Sequence, residues 1–179
     1  ANNTLESAFD KHLALLEKQS LDQLRSKLAG QMLHRPAPDF KLTNLKGDEI
    51  RLSELKGKVV VLDFWATWCQ PCIQSFSSMK KLMEKYTEEE VVFLFINSWE
   101  SGVEKEKGVS DFLKKNGFDH FNVPLDKDDA VIEAFKVSGI PTTFVISPEG
   151  SIRFKVMGFD ASNERQMKEL ELMIELAGL

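Results

Sequence analysis

Apolar residues recur at intervals of three and four near the start of the chain, and this spacing predicts a helix. The stripe runs from Leu5 to Leu28, with charged residues on the opposite side. It stops before RPAPDF, residues 35–40, because neither proline can continue a helix. We therefore expect an N-terminal helical extension over 1–33 and a main domain over 34–179. The extension packs on the domain, acts as a spacer or forms a dimer contact, and the pattern leaves these three open.

Strand-like and helix-like patterns alternate in the main domain. Residues 39–52 predict two short strands around a turn. Two nearly continuous apolar runs, VVVLDFW from Val59 and VVFLFIN from Val91, are typical of strands covered on both faces. Helical spacing from Gln70 to Tyr86 separates them. This order predicts a βαβ unit with parallel strands behind an N-terminal β-hairpin.

The second half of the domain predicts an insertion followed by a hairpin and a helix. Helical stretches are expected at about 109–116 and 128–137, and FDHFNVPL between them could supply an extra strand. A hairpin in TTFVISPEGSIRFKVMG and a terminal helix over about 162–177 complete the chain. The element order predicts an α/β fold with a mixed central sheet and helices on both faces.

Charge and hydropathy exclude two classes of partner. A net charge of −5 offers no basic surface for nucleic acid. No apolar run approaches the roughly 18 residues that a membrane span needs, so we expect no direct membrane insertion by this chain. The first residues lack the layout of a signal peptide, but a signal could have been removed before this sequence begins, and the compartment stays open.

The sequence has two cysteines, and both lie in WATWCQPC. Cys69 falls where the first buried strand ends and a helix begins, a position that favours the nucleophilic thiolate. Cys72 is close enough to resolve a mixed disulfide at Cys69, and the neutral Gln70 and Pro71 between them indicate a reducing pair. Zinc binding and two inert core thiols are the alternatives. Zinc needs four ligands, however, and the three histidines are not spaced as a second pair.

Three segments carry a family resemblance. VVVLDFWATWCQPC resembles the active-site strand and helix start of the thioredoxin superfamily, and GIPTTFVI resembles its second signature. APDFKLTNLKGDEIRLSELKGKVVVLDFWATWC is similar to the TlpA/ResA-like thiol-disulfide oxidoreductases of the AhpC/TSA type. The resemblance covers roughly residues 36–179. It implies a thioredoxin-like fold with an α/β insertion before the strand that follows a cis-proline.

The resemblance assigns roles to individual residues. Cys69 resembles the attacking cysteine, Cys72 the resolving one and Pro141 the cis-proline that faces them. Independently, parallel strands that end at one edge of the sheet and an antiparallel strand that begins there would bring Pro141 opposite Cys69. The backbone of Ile140 would then be free to pair with an extended substrate segment.

Asp63 interrupts an otherwise apolar strand six residues before Cys69. The resemblance to thioredoxins implies proton transfer to the resolving cysteine, and burial would raise the pKa of this carboxyl toward neutrality. A carboxylate bonded to nearby backbone or water is the alternative. Many TlpA-type proteins instead carry a carboxylate three residues after the second cysteine and a proline two residues further. This chain has Ser75 and Ser77 there, which leaves Asp63 as the acid candidate near the motif.

Trp68, Gln70 and Pro71 surround the nucleophile and are expected to contact substrate, with Trp68 as an apolar platform. Trp99 follows the second buried strand, so it should emerge at the same edge. It either lines the substrate groove or packs under the insertion.

The resemblance implies a thiol-disulfide oxidoreductase that exchanges disulfides with protein substrates, as a reductant in an extracytoplasmic bacterial compartment. It further implies an upstream electron donor and an anchor through a preceding segment; a cytoplasmic location is the alternative. We expect a monomer with no metal and no cofactor beyond the redox-active disulfide. A peroxiredoxin-like peroxidase is disfavoured because Leu62 and Ala66 replace the proline and threonine of that class. A non-enzymatic binding module is disfavoured by the intact cysteines.

Overall fold

The structure is a computed structural model that describes residues 2–102, 104–158 and 164–179, with side chains described from residue 9 onward. The chain divides into two compact units, Ala1–Met32 and Leu33–Leu179. The first unit contains one long helix, α1 (Asn2–Ala29). Phe9, Leu13 and Leu16 of its apolar stripe are exposed.

A mixed five-stranded sheet forms the centre of the second unit. In chain order the strands of this unit are β1 (Arg35–Pro36), β2 (Lys41–Thr43), β3 (Glu49–Arg51), β4 (Val59–Trp65), β5 (Val91–Asn97), β6 (Thr142–Ile146) and β7 (Ser151–Met157). The sheet has the order β1-β7-β6-β4-β5, while β2 and β3 form a separate hairpin. β4 and β5 are parallel, and the other neighbours in the sheet are antiparallel. The predicted mixed sheet and N-terminal hairpin are therefore confirmed.

Helices cover both faces of this sheet, as the element order predicts. They are α2 (Gln70–Met83), α3 (Lys105–Asn116), α4 (Ala130–Ala134) and α5 (Glu164–Ala177). On one face, Phe76 of α2 packs edge-on against Trp65, with ring centroids 4.9 Å apart. On the other, Phe135 after α4 and Phe40 before the hairpin join the core cluster around Phe64. No helix of the described segments has the length and apolar character required to cross a bilayer.

Two predictions about irregular segments need correction. The RPAPDF segment does more than end a helix, because Arg35 and Pro36 form an edge strand against β7. Proline is compatible with an edge strand, where its missing N–H faces away from the sheet. FDHFNVPL makes only isolated bridges, one of them between Asn97 and Leu125. Pro124 within it has no N–H with which to extend a ladder.

Three helix boundaries also differ from the periodicity. α2 ends at Met83 rather than Tyr86, because the amide of Tyr86 bonds the carbonyl of Met83 in a tighter turn. α3 begins at Lys105 rather than at about residue 109. The periodicity missed this start because the first turn of the helix is charged and carries no apolar signal. α4 is short because Asp129 and Lys136 on either side have positive φ angles of 61° and 52°. The predicted start of the last helix, residue 162, lies outside the described residues.

Candidate active site

Cys69 lies between the end of β4 and the start of α2, as the sequence predicts. A turn closes the gap, with the amide of Cys69 donating to the carbonyl of Ala66 at 3.1 Å. Cys69 is the N-terminal cap of α2, and its Sγ accepts the amide of Cys72 at 3.3 Å. The sulfur thus lies at the positive end of the helix, where a thiolate would be stabilised.

Cys69 and Cys72 are joined by a disulfide, with Cα atoms 5.3 Å apart, and both are buried. Gln70 and Pro71 between them are exposed, and Pro71 lies in the first turn of α2, where a missing N–H costs nothing. Across the segments that the structure describes, no group of three or more histidine, cysteine, aspartate or glutamate side chains is arranged to hold a metal ion.

Pro141 lies at the same edge of the sheet as the cysteine pair. Trp65 pairs with Asn97 where β4 and β5 end, and Phe64 pairs with Thr142 where β6 begins. The peptide bond between Ile140 and Pro141 is cis. The carbonyl of Pro141 accepts the amide of residue 158 at 2.9 Å, which ties the proline to the end of β7. Ile140 is half-buried against the core cluster.

Asp63 is a buried carboxyl group beneath α2. Side chains alternate along a strand, so Asp63 shares the sheet face of Trp65, which α2 covers. Its Oδ1 accepts the hydroxyl of Thr143 on β6 at 2.7 Å, whereas Oδ2 has no hydrogen-bond partner among the described residues. Burial raises the pKa of Asp63 to about 7, and the hydrogen bond from Thr143 opposes this shift. Asp63 can therefore gain or lose a proton near neutral pH.

Ser75 and Ser77 occupy the positions at which many TlpA-type relatives carry a carboxylate and a proline. Ser75 is buried in α2, and its hydroxyl donates to the carbonyl of Cys72 at 2.6 Å. Ser77 is exposed. The hydroxyl of Ser75 is therefore committed to the helix backbone, and neither serine can act as a carboxylic acid.

Trp68 and Trp99 are in contact. Trp68 is 55% exposed, and its Nε1 donates to the backbone carbonyl of Trp99 at 2.9 Å. The side chain of Trp99 packs against the core cluster that contains Val131 and Ile132 of the insertion. Trp68 thus presents an apolar surface beside Cys69, while Trp99 reaches the site through its backbone.

Sequence reasoning missed several polar residues around this edge. Thr143 bonds Asp63, Glu100 bonds Thr67, and Asp129 bonds the amide of Trp99. Glu100 had a detectable signal, because a carboxylate three residues after the end of a buried strand falls near the edge that carries the cysteines. The partners of Asp63 and Trp99 depend on pairings between distant segments.

Several known proteins are similar to this chain in sequence, and several solved structures are similar to it in fold. The AhpC/TSA family matches residues 33–155. Thiol-disulfide oxidoreductase ResA from Bacillus subtilis is 41% identical over 122 residues, 68% of this chain and 65% of that protein. The ResA of Geobacillus kaustophilus is 39% identical, over 68% of this chain and 67% of the relative. The chain thus spans about two thirds of the length of these curated relatives.

Solved structures agree with this assignment. A putative thiol:disulfide interchange protein DsbE from Chlorobium tepidum superposes with a TM-score of 0.66 at 30% identity, covering 78% of this chain and 96% of that one. The pneumococcal exposed lipoprotein thioredoxin from Streptococcus pneumoniae superposes with a TM-score of 0.62 at 28% identity, covering 74% and 99%. The chain therefore belongs to the AhpC/TSA family and is similar in sequence to the ResA thiol-disulfide oxidoreductases of the thioredoxin superfamily.

Proposed function

We propose that the chain reduces disulfides of protein substrates through Cys69 and Cys72. The observation that carries this function is the cysteine pair at the start of α2, beside an exposed Trp68 and the edge that bears Pro141. An extended substrate segment would pair with the backbone at Ile140 and lay its disulfide against Cys69. Trp68, Gln70 and Pro71 would contact the flanking substrate residues.

The proposed reaction begins from the dithiol form. The Cys69 thiolate attacks one sulfur of the substrate disulfide, which forms a mixed disulfide and releases the other substrate sulfur as a thiolate. The Cys72 thiolate then attacks Cys69 Sγ, which breaks the mixed disulfide and releases the second substrate sulfur as a thiolate. The substrate gains two electrons, and the protein is left with the Cys69–Cys72 disulfide. An upstream dithiol donor must reduce that disulfide for the next cycle.

Asp63 is proposed to accept the proton of Cys72 before the second step. It lies on the sheet face beneath α2, the helix that carries Cys72, and burial raises its pKa to about 7. A group with this pKa can take up and return a proton at neutral pH. Because Ser75 and Ser77 bring no carboxylate into α2, the proposal assigns this task to Asp63 alone.

The proposed direction of electron transfer rests on the residues between the cysteines. The proposed cellular location rests on a structural relative. The residues between the cysteines are neutral, so no acidic side chain between them opposes the Cys69 thiolate. One structural relative is described as an exposed lipoprotein thioredoxin, which supports an extracytoplasmic site of action. We propose that the chain acts there as a monomeric reductant, with no cofactor beyond its own cysteine pair.

Reduction of insulin by the dithiol form tests the proposed function. The wild-type protein should precipitate the insulin B chain with dithiothreitol as the donor, whereas Cys69→Ser should not exceed the background rate. The Ser77→Ala variant, which alters an exposed residue of α2, serves as the matched control. A wild-type protein that neither reduces insulin nor oxidises a reduced test protein would rule out the oxidoreductase, and activity that survives Cys69→Ser would rule out the nucleophile.

A further inference from the structure

Glu100 binds the segment that precedes the nucleophile. Its carboxylate accepts two hydrogen bonds from Thr67, one from the amide at 2.9 Å and one from the hydroxyl at 2.6 Å. The buried side-chain amide of Asn97 donates to the same carboxylate at 2.9 Å. Three donors from the ends of two neighbouring strands therefore converge on one half-buried anion. Hydrogen bonds to a charged acceptor are roughly twice as strong as neutral ones.

The turn that carries Glu100 is itself held in place. The amide of Ser98 donates to the carbonyl of Trp65 at 3.0 Å. Trp99 has a φ angle of 55°, an unfavourable conformation for a bulky residue, and its amide donates to Asp129 at 2.7 Å. The carbonyl of Trp99 in turn accepts the indole of Trp68. The turn after β5 is therefore a fixed support for residues 67 and 68.

These contacts do not involve sulfur, so they can persist when the disulfide opens. Reduction removes the covalent bond between Cys69 and Cys72, and substrate attack then places a new partner on Cys69. In the disulfide form, Thr67, two residues before Cys69, is bonded to Glu100 through its backbone and its side chain. The support needed in the dithiol state is thus already present beside the nucleophile.

We propose that Glu100 is a positioning residue for attack by Cys69, which it supports by holding Thr67 and thereby the orientation of Trp68 and Cys69. The inference rests on the proposed disulfide exchange and adds a residue to it. Glu100 acts through Thr67 and does not touch the reacting sulfurs. A misplacement of about 1 Å at a reacting group can slow a reaction about a hundredfold, so loss of this support should be visible in the rate.

Glutamine separates the hydrogen bonds of Glu100 from its charge. A Gln side chain can accept the amide of Thr67 with its oxygen and donate its NH₂ to the hydroxyl, which can act as an acceptor. Alanine removes both the charge and the bonds. A positioning role therefore predicts that Glu100→Gln resembles the wild type and that Glu100→Ala does not.

Insulin reduction by variants of the 179-residue chain provides the kinetic test. We expect Glu100→Ala to be about tenfold slower or more, and Glu100→Gln to stay within about threefold of the wild type. Glu106→Ala is the control, because it removes an exposed glutamate of the insertion whose contact is Lys127. If Glu100→Ala does not fold, Thr67→Val removes only the hydroxyl bond and should still slow the reaction, whereas Thr67→Ser should not.

Hydrogen exchange of the Thr67 amide in the dithiol protein tests the support without any substrate. Protection should fall about tenfold or more in Glu100→Ala and be retained in Glu100→Gln. Alanine and glutamine variants with equal insulin rates, whether both slow or both unchanged, would overturn the proposal. If the wild type fails to reduce insulin, the proposed function fails on its own. Equal hydrogen-exchange rates of the Thr67 amide in the wild type and in Glu100→Ala would then overturn the positioning role of Glu100 as well.

Discussion

The buried carboxyl group of Asp63 should make the stability of the oxidised protein fall as the pH rises. Burial raises its pKa from 3.8 to about 7, so the folded state holds a proton that the unfolded state has already lost. Stability from this group is therefore complete below about pH 4, declines through the interval between the two pKa values and stays low above about pH 7. Asp63→Asn removes the ionisation while retaining an oxygen that can accept the hydroxyl of Thr143.

The size of this effect follows from the two pKa values. A difference of about three pKa units corresponds to about 4 kcal/mol at full ionisation, because each unit is worth about 1.4 kcal/mol. Between about pH 4.5 and about pH 8.5 the wild type should lose about 3 kcal/mol relative to Asp63→Asn. The comparison between the two pH values cancels the constant cost of burying the amide, so only the ionisation of Asp63 remains.

Urea unfolding of the oxidised proteins, followed by circular dichroism, measures this difference. The disulfide stays closed, so the cysteines do not titrate. Asp119→Asn, an exposed aspartate after α3, is the matched control and should follow the pH dependence of the wild type within about 0.5 kcal/mol. If the free-energy difference between Asp63→Asn and the wild type changes by less than about 1 kcal/mol over this pH range, Asp63 is not a buried group that titrates near neutrality.

Three further predictions concern the site and its supporting core. Asp63→Asn should slow resolution of the mixed disulfide about tenfold or more at neutral pH while sparing the first attack, as rapid-quench kinetics would show; equal resolution rates would exclude the proton role. Trp68→Ala should weaken insulin binding, seen as a higher KM, because its 55% exposed side chain offers an apolar surface beside Cys69; an unchanged KM would contradict this role. Phe76→Ala should lower the free energy of unfolding by about 3–5 kcal/mol in urea titrations, because this buried ring packs against four other aromatic rings; a loss below about 1 kcal/mol would contradict that packing.

The sequence was sufficient to predict the elements whose signals are local. The apolar run from Val59 and the change to helical spacing at Gln70 predict the strand and helix on either side of the cysteines, and both form. The position of Pro141 at the same edge also follows from strand order, because parallel strands end where the antiparallel strand begins. These features depend on hydrophobic periodicity and on the order of the elements, and both can be read directly from the sequence.

Features that depend on contacts between distant segments could not be predicted in this way. Thr143 faces Asp63 only because β6 pairs with β4 in one particular register, and these two residues are 80 positions apart in the sequence. The short α4 reflects positive φ angles at Asp129 and Lys136, which neither residue type requires. The contact of Glu100 with Thr67 likewise joins the ends of two strands. Tertiary pairing, rather than local preference, selects these contacts.

The central claim is that Cys69 attacks the substrate and Cys72 resolves the product, and trapping of the mixed disulfide tests it most directly. The reduced Cys72→Ser protein is incubated with insulin, and the adducts are identified by intact mass and peptide mapping. A covalent adduct at Cys69 that dithiothreitol releases is expected, and no adduct is expected with Cys69→Ser. An adduct formed through Cys72 in the Cys69→Ser protein, or no adduct with Cys72→Ser, would contradict the assignment.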